Sequence, residues 1–328
     1  MKLSPRTEIL SAAIIATFLC FVFPMGSIDR ASPQGTRVIK VLVPFPAGGS
    51  ADILARQLGE QVGKMHGVTV LIENRPGAGT VIGTEAVARS APDGNTLLLS
   101  SPSIIITPQL RRLNFDPLTS FEPICDLASF PTVIAVNSQS PYRSLADLFK
   151  GARARPGELT LGSLGPGSIN HIGIERLKRA AQVNITFVPY PGTAPAVNAL
   201  LGEHISSYLG AFTDVAALVG AGKLRAIAAA TRTRNEALPN VPTIHEAGYN
   251  FDNDAWFGLF APQNTPRSMV SQLASWFTLA GDDPNVKAKL MGQGLYPVGM
   301  CGVDFANLLR LQHDEYGRII REANIKAE

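Results

Sequence analysis

Apolar residues along this chain alternate between short continuous runs and runs that repeat every three or four positions. Residues 37–43 form a β-branched apolar run and predict a buried strand. Residues 52–63 then follow the helical repeat and place four apolar side chains on one face: Ile53, Leu54, Leu58 and Val62. The same patterns continue to the C-terminus, with strands predicted at 68–72, 96–99, 159–161, 185–188, 224–230 and 256–260, and helices at 80–89, 145–154, 170–181, 194–201, 266–279 and 303–323. This alternation predicts an α/β fold with largely parallel sheets.

The chain has 328 residues, enough for two domains, yet no repeat and no low-complexity linker divides it. Domains without a flexible tether are usually joined by strands that pass from one to the other, and residues 122–127 and 254–262 are the candidate crossings. We therefore expect a discontinuous first lobe, residues 36–124 and 257–328, and a second lobe, residues 125–256. Paired crossings of this kind make a hinge over a central cleft.

A turn rich in proline and glycine connects the first predicted strand to the first predicted helix and reads Pro44-Phe45-Pro46-Ala47-Gly48-Gly49-Ser50. Because glycine has no Cβ, Gly48 and Gly49 allow main-chain N–H groups to approach a ligand closely. The helix behind them adds unpaired N–H donors and the positive end of its dipole, which together favour an anion. The turn carries no Lys or Arg, and we interpret it as a carboxylate-binding loop. The alternative is an ordinary tight turn between strand and helix.

A second loop of small residues, Gly162-Ser163-Leu164-Gly165-Pro166-Gly167-Ser168, repeats this design after the predicted strand 159–161. It opens a predicted helix, so its N–H and hydroxyl groups also suit an anion. In open α/β sheets, ligands bind beyond the carboxyl ends of the strands. Both loops lie at such ends, and we expect them to face each other across the cleft.

A third Gly-rich stretch, residues 74–83, superficially resembles a dinucleotide-binding loop. Its spacing is GxGxxxG, and no acidic residue follows at a convincing strand end about 20 residues on, as the dinucleotide motif requires. We interpret it as the entry to a helix, with Thr80 or Ser101 near the cleft.

Sequence signatures of enzymes are missing, since the chain has no GxSxG elbow, HExxH motif, Walker loop or kinase motif set. Of the five histidines, only His171 adjoins a candidate loop, and we expect it to pack against or cap a helix. Asp52 falls in the first turn of a predicted helix, where we expect it to brace the loop rather than act as a general base. No Cys/His spacing suits zinc, and we expect no cofactor and no metal.

The N-terminal segment has the order of a secretory signal peptide, because Lys2 and Arg6 precede an apolar run over residues 9–23 and small residues follow it. The apolar run of about fifteen residues is short for a membrane span, which needs roughly 20. We expect a cleaved signal peptide at residues 1–28 and an exported mature protein.

The composition and charge of the chain limit the classes of molecule that it can bind. Apolar residues make up 45% of the chain, so we expect a core of ordinary size. The formal net charge is +3 with acids and bases interspersed, and the absence of a basic cluster excludes nucleic acid as a partner. Cleavage of the signal would leave Cys125 and Cys301, which either pair in an oxidising compartment or remain two buried thiols.

The order of these motifs resembles that of the Bug-type periplasmic solute-binding proteins, the receptors of tripartite tricarboxylate transport systems. The resemblance runs from about Ile39 to the C-terminus. Besides the two loops above, it rests on Glu73-Asn74-Arg75-Pro76-Gly77-Ala78-Gly79, Pro92-Asp93-Gly94-Asn95-Thr96-Leu97-Leu98, Pro189-Tyr190-Pro191-Gly192, Leu238-Pro239-Asn240-Val241-Pro242-Thr243 and Trp256-Phe257-Gly258-Leu259. Each motif is modest, but their order and spacing together are specific.

The resemblance implies a two-lobed, type II Venus-flytrap fold with two hinge strands, a periplasmic location and a carboxylate ligand held by backbone amides, hydroxyls and water. That ligand would be a dicarboxylate or tricarboxylate, an acidic amino acid or an aromatic acid, delivered by a monomeric receptor to membrane transporter subunits. The positions that match the family's binding loops are Phe45, Ala47, Gly48, Gly49 and Ser50 in the first loop, Ser163, Gly167 and Ser168 in the second, and Ser101 and Asp214 elsewhere in the cleft.

Two stretches depart from the family pattern: Ala211-Phe212-Thr213-Asp214 stands where many relatives carry an Asp/Asn pair, and Glu203-His204 replaces a more usual Gly-rich ending. The identity of the carboxylate therefore stays open. Two other functions also stay open: a receptor that signals through a membrane sensor, and a secreted enzyme that acts on a small organic acid. The missing nucleophile and metal-ligand motifs argue against the enzyme.

Overall fold

The structure is a computed structural model that describes residues 37–165, 168–231, 234, 238–251, 253 and 255–326. The predicted signal peptide, residues 1–28, and the predicted site residue Gly167 lie outside the described residues.

Strands and helices alternate along most of the described chain. The strands are β1 (Val38–Val43), β2 (Thr69–Asn74), β3 (Thr96–Ser100), β4 (Phe121–Phe130), β5 (Thr132–Asn137), β6 (Thr160–Leu164), β7 (Thr186–Tyr190), β8 (Ser207–Ala211), β9 (Leu224–Ala229), β10 (Ala255–Pro262) and β11 (Tyr296–Cys301). The helices are α1 (Ser50–His66), α2 (Val81–Ala88), α3 (Ser103–Leu110), α4 (Leu145–Ala154), α5 (Ile169–Ala181), α6 (Thr193–Leu201), α7 (Phe212–Gly220), α8 (Arg267–Asp282), α9 (Pro284–Gly292) and α10 (Val303–Glu322).

The strands form two mixed sheets, one of six strands in the order β11-β4-β10-β3-β1-β2 and one of five in the order β7-β6-β8-β5-β9. In the first sheet β1 is parallel to β2 and β3, and in the second β6 is parallel to β7 and β8. The prediction of largely parallel sheets is wrong, because β4, β5 and β10 each run antiparallel to both of their neighbours. These three strands lie next to the points where the chain passes between the sheets, so helix crossovers do not set their direction.

Side chains of β1 alternate between the two faces of the six-stranded sheet, as the pleat of a strand requires. Val41 is buried with Leu54 of α1 and Phe277 of α8, whereas Leu42 is buried on the other face with Phe305 of α10. Full burial of one such side chain stabilises the fold by about 1.5–3 kcal/mol. Helices therefore cover both faces of this sheet, which leaves the ends of its strands for a ligand.

The chain passes from the first sheet to the second at Pro131, between β4 and β5. Strand β4 is antiparallel to β10, as is β3, so Phe130 ends β4 at the same edge at which β1, β2 and β3 end. Strand β5 begins opposite Ala211, the last residue of β8, because Thr132 pairs with it. The carboxyl ends of the parallel strands of both sheets therefore meet at Pro131. The predicted crossing at residues 122–127 is wrong, since those residues lie inside β4 and pair within the first sheet.

The chain returns to the first sheet next to this point. The N–H of Asn253 donates a hydrogen bond to the carbonyl of Ala230, and the hydroxyl of Thr132 donates to the carbonyl of Asn253 at 3.0 Å. Ala255 then pairs with Phe130 as the first residue of β10. The return thus precedes β10, at the start of the predicted crossing 254–262, and the rest of that range pairs within the six-stranded sheet.

A disulfide between Cys125 and Cys301 joins β4 to β11, the strand at the edge of the six-stranded sheet. The two residues are direct partners in the antiparallel pairing of these strands, and their Cα atoms lie 4.0 Å apart. Of the two alternatives that the sequence left open, the structure has the disulfide.

Candidate functional site

Six described helices begin at the meeting edges of the two sheets. Helices α1, α2 and α3 follow the parallel strands β1, β2 and β3, and helices α5, α6 and α7 follow β6, β7 and β8. Each helix begins with N–H groups that have no partner within the helix, and its dipole is positive at that end. The space between the two edges, which we call the cleft, is therefore bordered by six sets of N–H donors.

The first predicted loop lies at this edge, and its residues 46–50 are exposed. Gly48 has φ +81°, a left-handed conformation that side chains with a Cβ rarely adopt. Gly49 precedes α1 as its N-cap without any side-chain hydrogen bond to the first turn. The ring of Phe45 packs edge-on against Phe257 of β10 with 6.2 Å between centroids, which fixes the loop beside the crossing.

Polar side chains of α1 and β2 hold this loop in place by hydrogen bonds. The carboxylate of Asp52 accepts the N–H of Gly48 at 2.9 Å and is paired with Arg56, and Arg56 in turn donates to the amide of Asn74. Asn74 donates to the carbonyl of Phe45 at 3.3 Å. Burial by itself raises the pKa of Asp52, but the hydrogen bonds from Arg56, Gly48 and Asn74 and the charge of Arg56 hold it below its ordinary value. The predicted bracing role of Asp52 is confirmed by these contacts.

Three hydroxyl groups converge between the starts of α2 and α3. The hydroxyl of Ser103 lies 3.0 Å from that of Ser101 and accepts a hydrogen bond from Thr80 at 3.3 Å. Thr80 has φ +79° and closes the Gly-rich loop that was predicted to lead into a helix, and α2 does begin after it. The structure therefore brings Ser101 and Thr80 together at the edge that carries the first loop.

In the second predicted loop, the described serines are engaged by the main chain. Ser163 is fully buried and its hydroxyl donates to the carbonyl of Leu209, so it ties β6 to β8. Ser168 is the N-cap of α5, since its hydroxyl accepts the N–H of His171 at 3.1 Å. The groups that this loop offers to a ligand are thus N–H groups at the start of α5.

His171 packs as the sequence predicted. Its ring stacks on Phe187 of β7 with 4.1 Å between centroids and 16° between planes. Burial lowers the pKa of His171, the nearby charge of Glu175 opposes this shift, and the net direction is down. The imidazole is therefore neutral near pH 7.

Asp214, the last predicted site residue, lies in the first turn of α7, where it is partly exposed. Its carboxylate accepts a hydrogen bond from the buried hydroxyl of Tyr208 at 2.8 Å and another from the N–H of Ala211. Thr193, the first residue of α6, also hydrogen-bonds the Tyr208 hydroxyl. Burial raises the pKa of Asp214 above its ordinary value, although the bonds from Tyr208 and Ala211 act in the opposite direction. Sequence reasoning missed Tyr208 and Thr193, because an apolar strand pattern gives no sign of a hydroxyl partner six residues away.

Two cavities are lined by none of the predicted site residues. One, of about 700 Å³, is lined by Trp256, Met300 and Leu311, and the other, of about 740 Å³, by Phe121 and Arg310 among others. The described residues contain no group of three or more His, Cys, Asp or Glu side chains that could hold a metal ion. Within the same ranges, no helix has both the length and the apolarity that a membrane span requires.

Two α/β lobes joined at paired crossings, with a cleft between the carboxyl ends of their strands, define the class of two-lobed binding proteins. The chain belongs to the tripartite tricarboxylate transporter family receptors, whose family model matches residues 54–325. It is 33% identical over 318 residues to the protein BugT of Bordetella pertussis. The alignment covers 96% of this chain and 97% of BugT.

Solved structures agree with this assignment. The periplasmic binding protein BugD is 30% identical, with a TM-score of 0.73 over 89% of this chain and 99% of BugD. Rpa4515 of R. palustris, solved with adipate, is 31% identical, with a TM-score of 0.76 over 89% of this chain and 99% of Rpa4515. These relatives are solute-binding proteins, and the two-lobed α/β fold that the sequence predicted is confirmed.

Proposed function

We propose that this protein is an extracytoplasmic receptor that captures a small carboxylate between its two lobes. The observation that carries this proposal is the meeting of six helix N-termini at the cleft, with the exposed Gly48-Gly49 loop among them. N–H donors at helix starts hold an anion by charge-assisted hydrogen bonds, which strengthen when closure expels water. Adipate in the similar Rpa4515 is a ligand of this chemical class.

The sequence predicted lobes at residues 36–124 with 257–328, and at residues 125–256. Because the chain passes between the sheets at Pro131 and returns before β10, the proposed lobes are residues 36–130 with 255–328, and residues 131–254. The first lobe contributes main-chain N–H groups of Ala47, Gly49 and Ser50, the close approach that Gly48 allows, the ring of Phe45 and the hydroxyl of Ser101. The second contributes Ser168 at the start of α5, Asp214, and Gly167, which lies outside the described residues. Ser163 acts by holding β6 against β8, since its hydroxyl is donated to Leu209.

The receptor delivers its ligand, as a monomer, to the membrane subunits of a tripartite tricarboxylate-type transporter. We propose that a cleaved signal peptide at residues 1–28 exports it to the periplasm. It binds its ligand without converting it, in keeping with the solute-binding role of its relatives. The family assignment favours delivery to a transporter over signalling through a membrane sensor.

Purification of the mature protein, denaturation and mass spectrometry of the released small molecules test this function. We expect a carboxylic acid, and we expect the same compound to raise the melting temperature of the ligand-free protein. Stabilisation by mass action amounts to about 2.7 kcal/mol at a hundredfold excess over Kd. Release of a neutral sugar, or a panel in which no carboxylate shifts the melting temperature, would overturn the proposal.

A further inference from the structure

One of the stretches that depart from the family pattern, residues 211–214, adjoins an unusual arrangement on the second sheet. Tyr208, fully buried on β8, directs its hydroxyl to the carboxylate of Asp214 at 2.8 Å. The ring lies over Gly210 so closely that a Cβ on this glycine would be 2.0 Å from the Tyr208 hydroxyl oxygen. The position of the Tyr208 ring thus requires a glycine at position 210, and its hydroxyl contacts Asp214. We call these three residues the Tyr-Asp unit.

The Tyr-Asp unit lies at the carboxyl edge of the second sheet. Asp214 is in the first turn of α7, and the Tyr208 hydroxyl also meets Thr193 at the first position of α6. The N–H of Phe212, two residues before Asp214, donates to the carbonyl of Pro131 at the crossing between the sheets. Asp214 thus stands between two helix N-termini, beside the hinge of the cleft.

A carboxylate in this position changes what the second lobe offers to a ligand. The helix N-terminus of α7 would otherwise attract an anion, but Asp214 already supplies one and takes the N–H of Ala211. Its oxygens accept hydrogen bonds, so an ammonium or a hydroxyl group of a ligand is complementary to it. A second ligand carboxylate at the same place would face a like charge or an acceptor without a proton.

We propose that Asp214, held by Tyr208 over Gly210, makes the receptor select carboxylates whose far end carries a hydrogen-bond donor and reject dicarboxylates of the same length. This inference rests on the proposed function. It assigns the first loop to the ligand's carboxylate and the Tyr-Asp unit to its other end. The ligand class that results is that of amino acids and hydroxy acids, which differs from the adipate of Rpa4515.

Calorimetric titration with matched ligands tests the proposal. The probes are straight-chain dicarboxylates with four to six carbons, and for each of them the ω-amino acid and ω-hydroxy acid of equal length. We expect the best amino or hydroxy acid to bind the wild type at least tenfold more tightly than its dicarboxylate. We expect Asp214→Asn to reduce that ratio at least fivefold, because the amide removes the charge that repels the second carboxylate.

Asp147→Asn is the matched control, because Asp147 occupies the same third position of helix α4 and its carboxylate accepts the N–H of Arg143 at that helix start, away from the cleft. It should leave the ligand ratio unchanged even if it lowers stability. Tyr208→Phe serves as a second variant: it keeps the carboxylate but removes the hydroxyl that holds it, and should therefore lower the preference for donors by less than Asp214→Asn does. A merely structural role of Asp214 would weaken all ligands equally.

Two outcomes overturn the inference: a wild type that prefers dicarboxylates, or an unchanged ratio in Asp214→Asn. In each of these the protein still binds carboxylates, so the proposed function stands. If no carboxylate of any series binds, the proposed function fails and this inference fails with it.

Discussion

The carboxylate of Asp52 accepts the N–H of Gly48 at 2.9 Å, so the side chain of the first helix holds the loop that precedes it. The bond takes one N–H of the loop away from any ligand, and it fixes the direction of those that follow. Gly49 and Ser50 then stand at the exposed start of α1.

We expect Asp52→Asn to lower both ligand affinity and the free energy of unfolding, the latter by about 1–3 kcal/mol at pH 7, the range for losing hydrogen bonds of a charged group. The pKa of Asp52 is below its ordinary value of 3.8 in the folded protein. Its contribution is therefore complete above that value and is lost as pH falls through the lower, folded pKa. Denaturant unfolding from pH 7 to pH 3 should show the difference between variant and wild type shrinking below about pH 4. The exposed Asp304, at the same type of position in α10, provides a control as Asp304→Asn.

Gly49→Val should abolish binding and leave the fold intact. A Cβ at Gly49 meets only the carbonyl oxygen of Pro46, at 3.6 Å, which is an ordinary contact. The branched side chain would, however, cover the N–H groups at the start of α1 and restrict the main chain. Titration calorimetry measures the loss of binding, and circular dichroism checks that the fold is intact.

Gly292→Val, at another open glycine at the end of α9, is the control. Wild-type affinity in Gly49→Val would exclude this loop as the binding site.

Loss of the disulfide should lower stability without changing ligand affinity. Replacing Cys125 and Cys301 by serine is expected to reduce the free energy of unfolding by about 2–5 kcal/mol, as for other native disulfides. Affinity should persist because β11 lies on one side of the hinge strands β4 and β10. Strands β3 and β1, which lead to the proposed ligand contacts, lie on the other side. Unfolding with and without reductant measures the effect, and the double variant should be insensitive to reductant. A weaker ligand Kd would show that the disulfide acts on the cleft itself.

Ligand binding should make the molecule more compact. The two edges can contact one ligand together only when the lobes approach, so the closed form has the higher affinity, and a ligand shifts the population by that difference. Solution scattering should give a smaller radius of gyration with saturating ligand than without it. An unchanged radius, with binding confirmed by calorimetry, would mean a rigid pocket.

Local patterns in the sequence were sufficient to predict the units in which a strand, a turn and a helix follow one another. The residues of β1, the Gly48-Gly49 turn and α1 are neighbours in the chain, and each has the preference that its structure needs. The role of Asp52 followed in the same way, because a first-turn carboxylate meets N–H groups only a few residues away.

Features that depend on distant partners were not predictable. Strand β4 contains Glu122, Pro123 and Asp126, and it is a strand because β10 and β11, more than a hundred residues later, pair with it. The burial of Ser163 likewise depends on Leu209 of β8. The pairing of Cys125 with Cys301 follows from the register of β4 and β11, which neither segment encodes alone.

The proposed contacts of the Gly48-Gly49 loop are main-chain N–H groups, which every residue except proline has, and this has a consequence for how such receptors diverge. Substitutions on the other side of the cleft leave these main-chain contacts in place. A related receptor can therefore bind a different ligand through changes on one side of the cleft alone. In the selection proposed above, the Tyr-Asp unit is the part of the cleft that sets the ligand. Such a change of ligand requires no new buried Lys or Arg side chain to hold the carboxylate, and no acidic side chain to neutralise it.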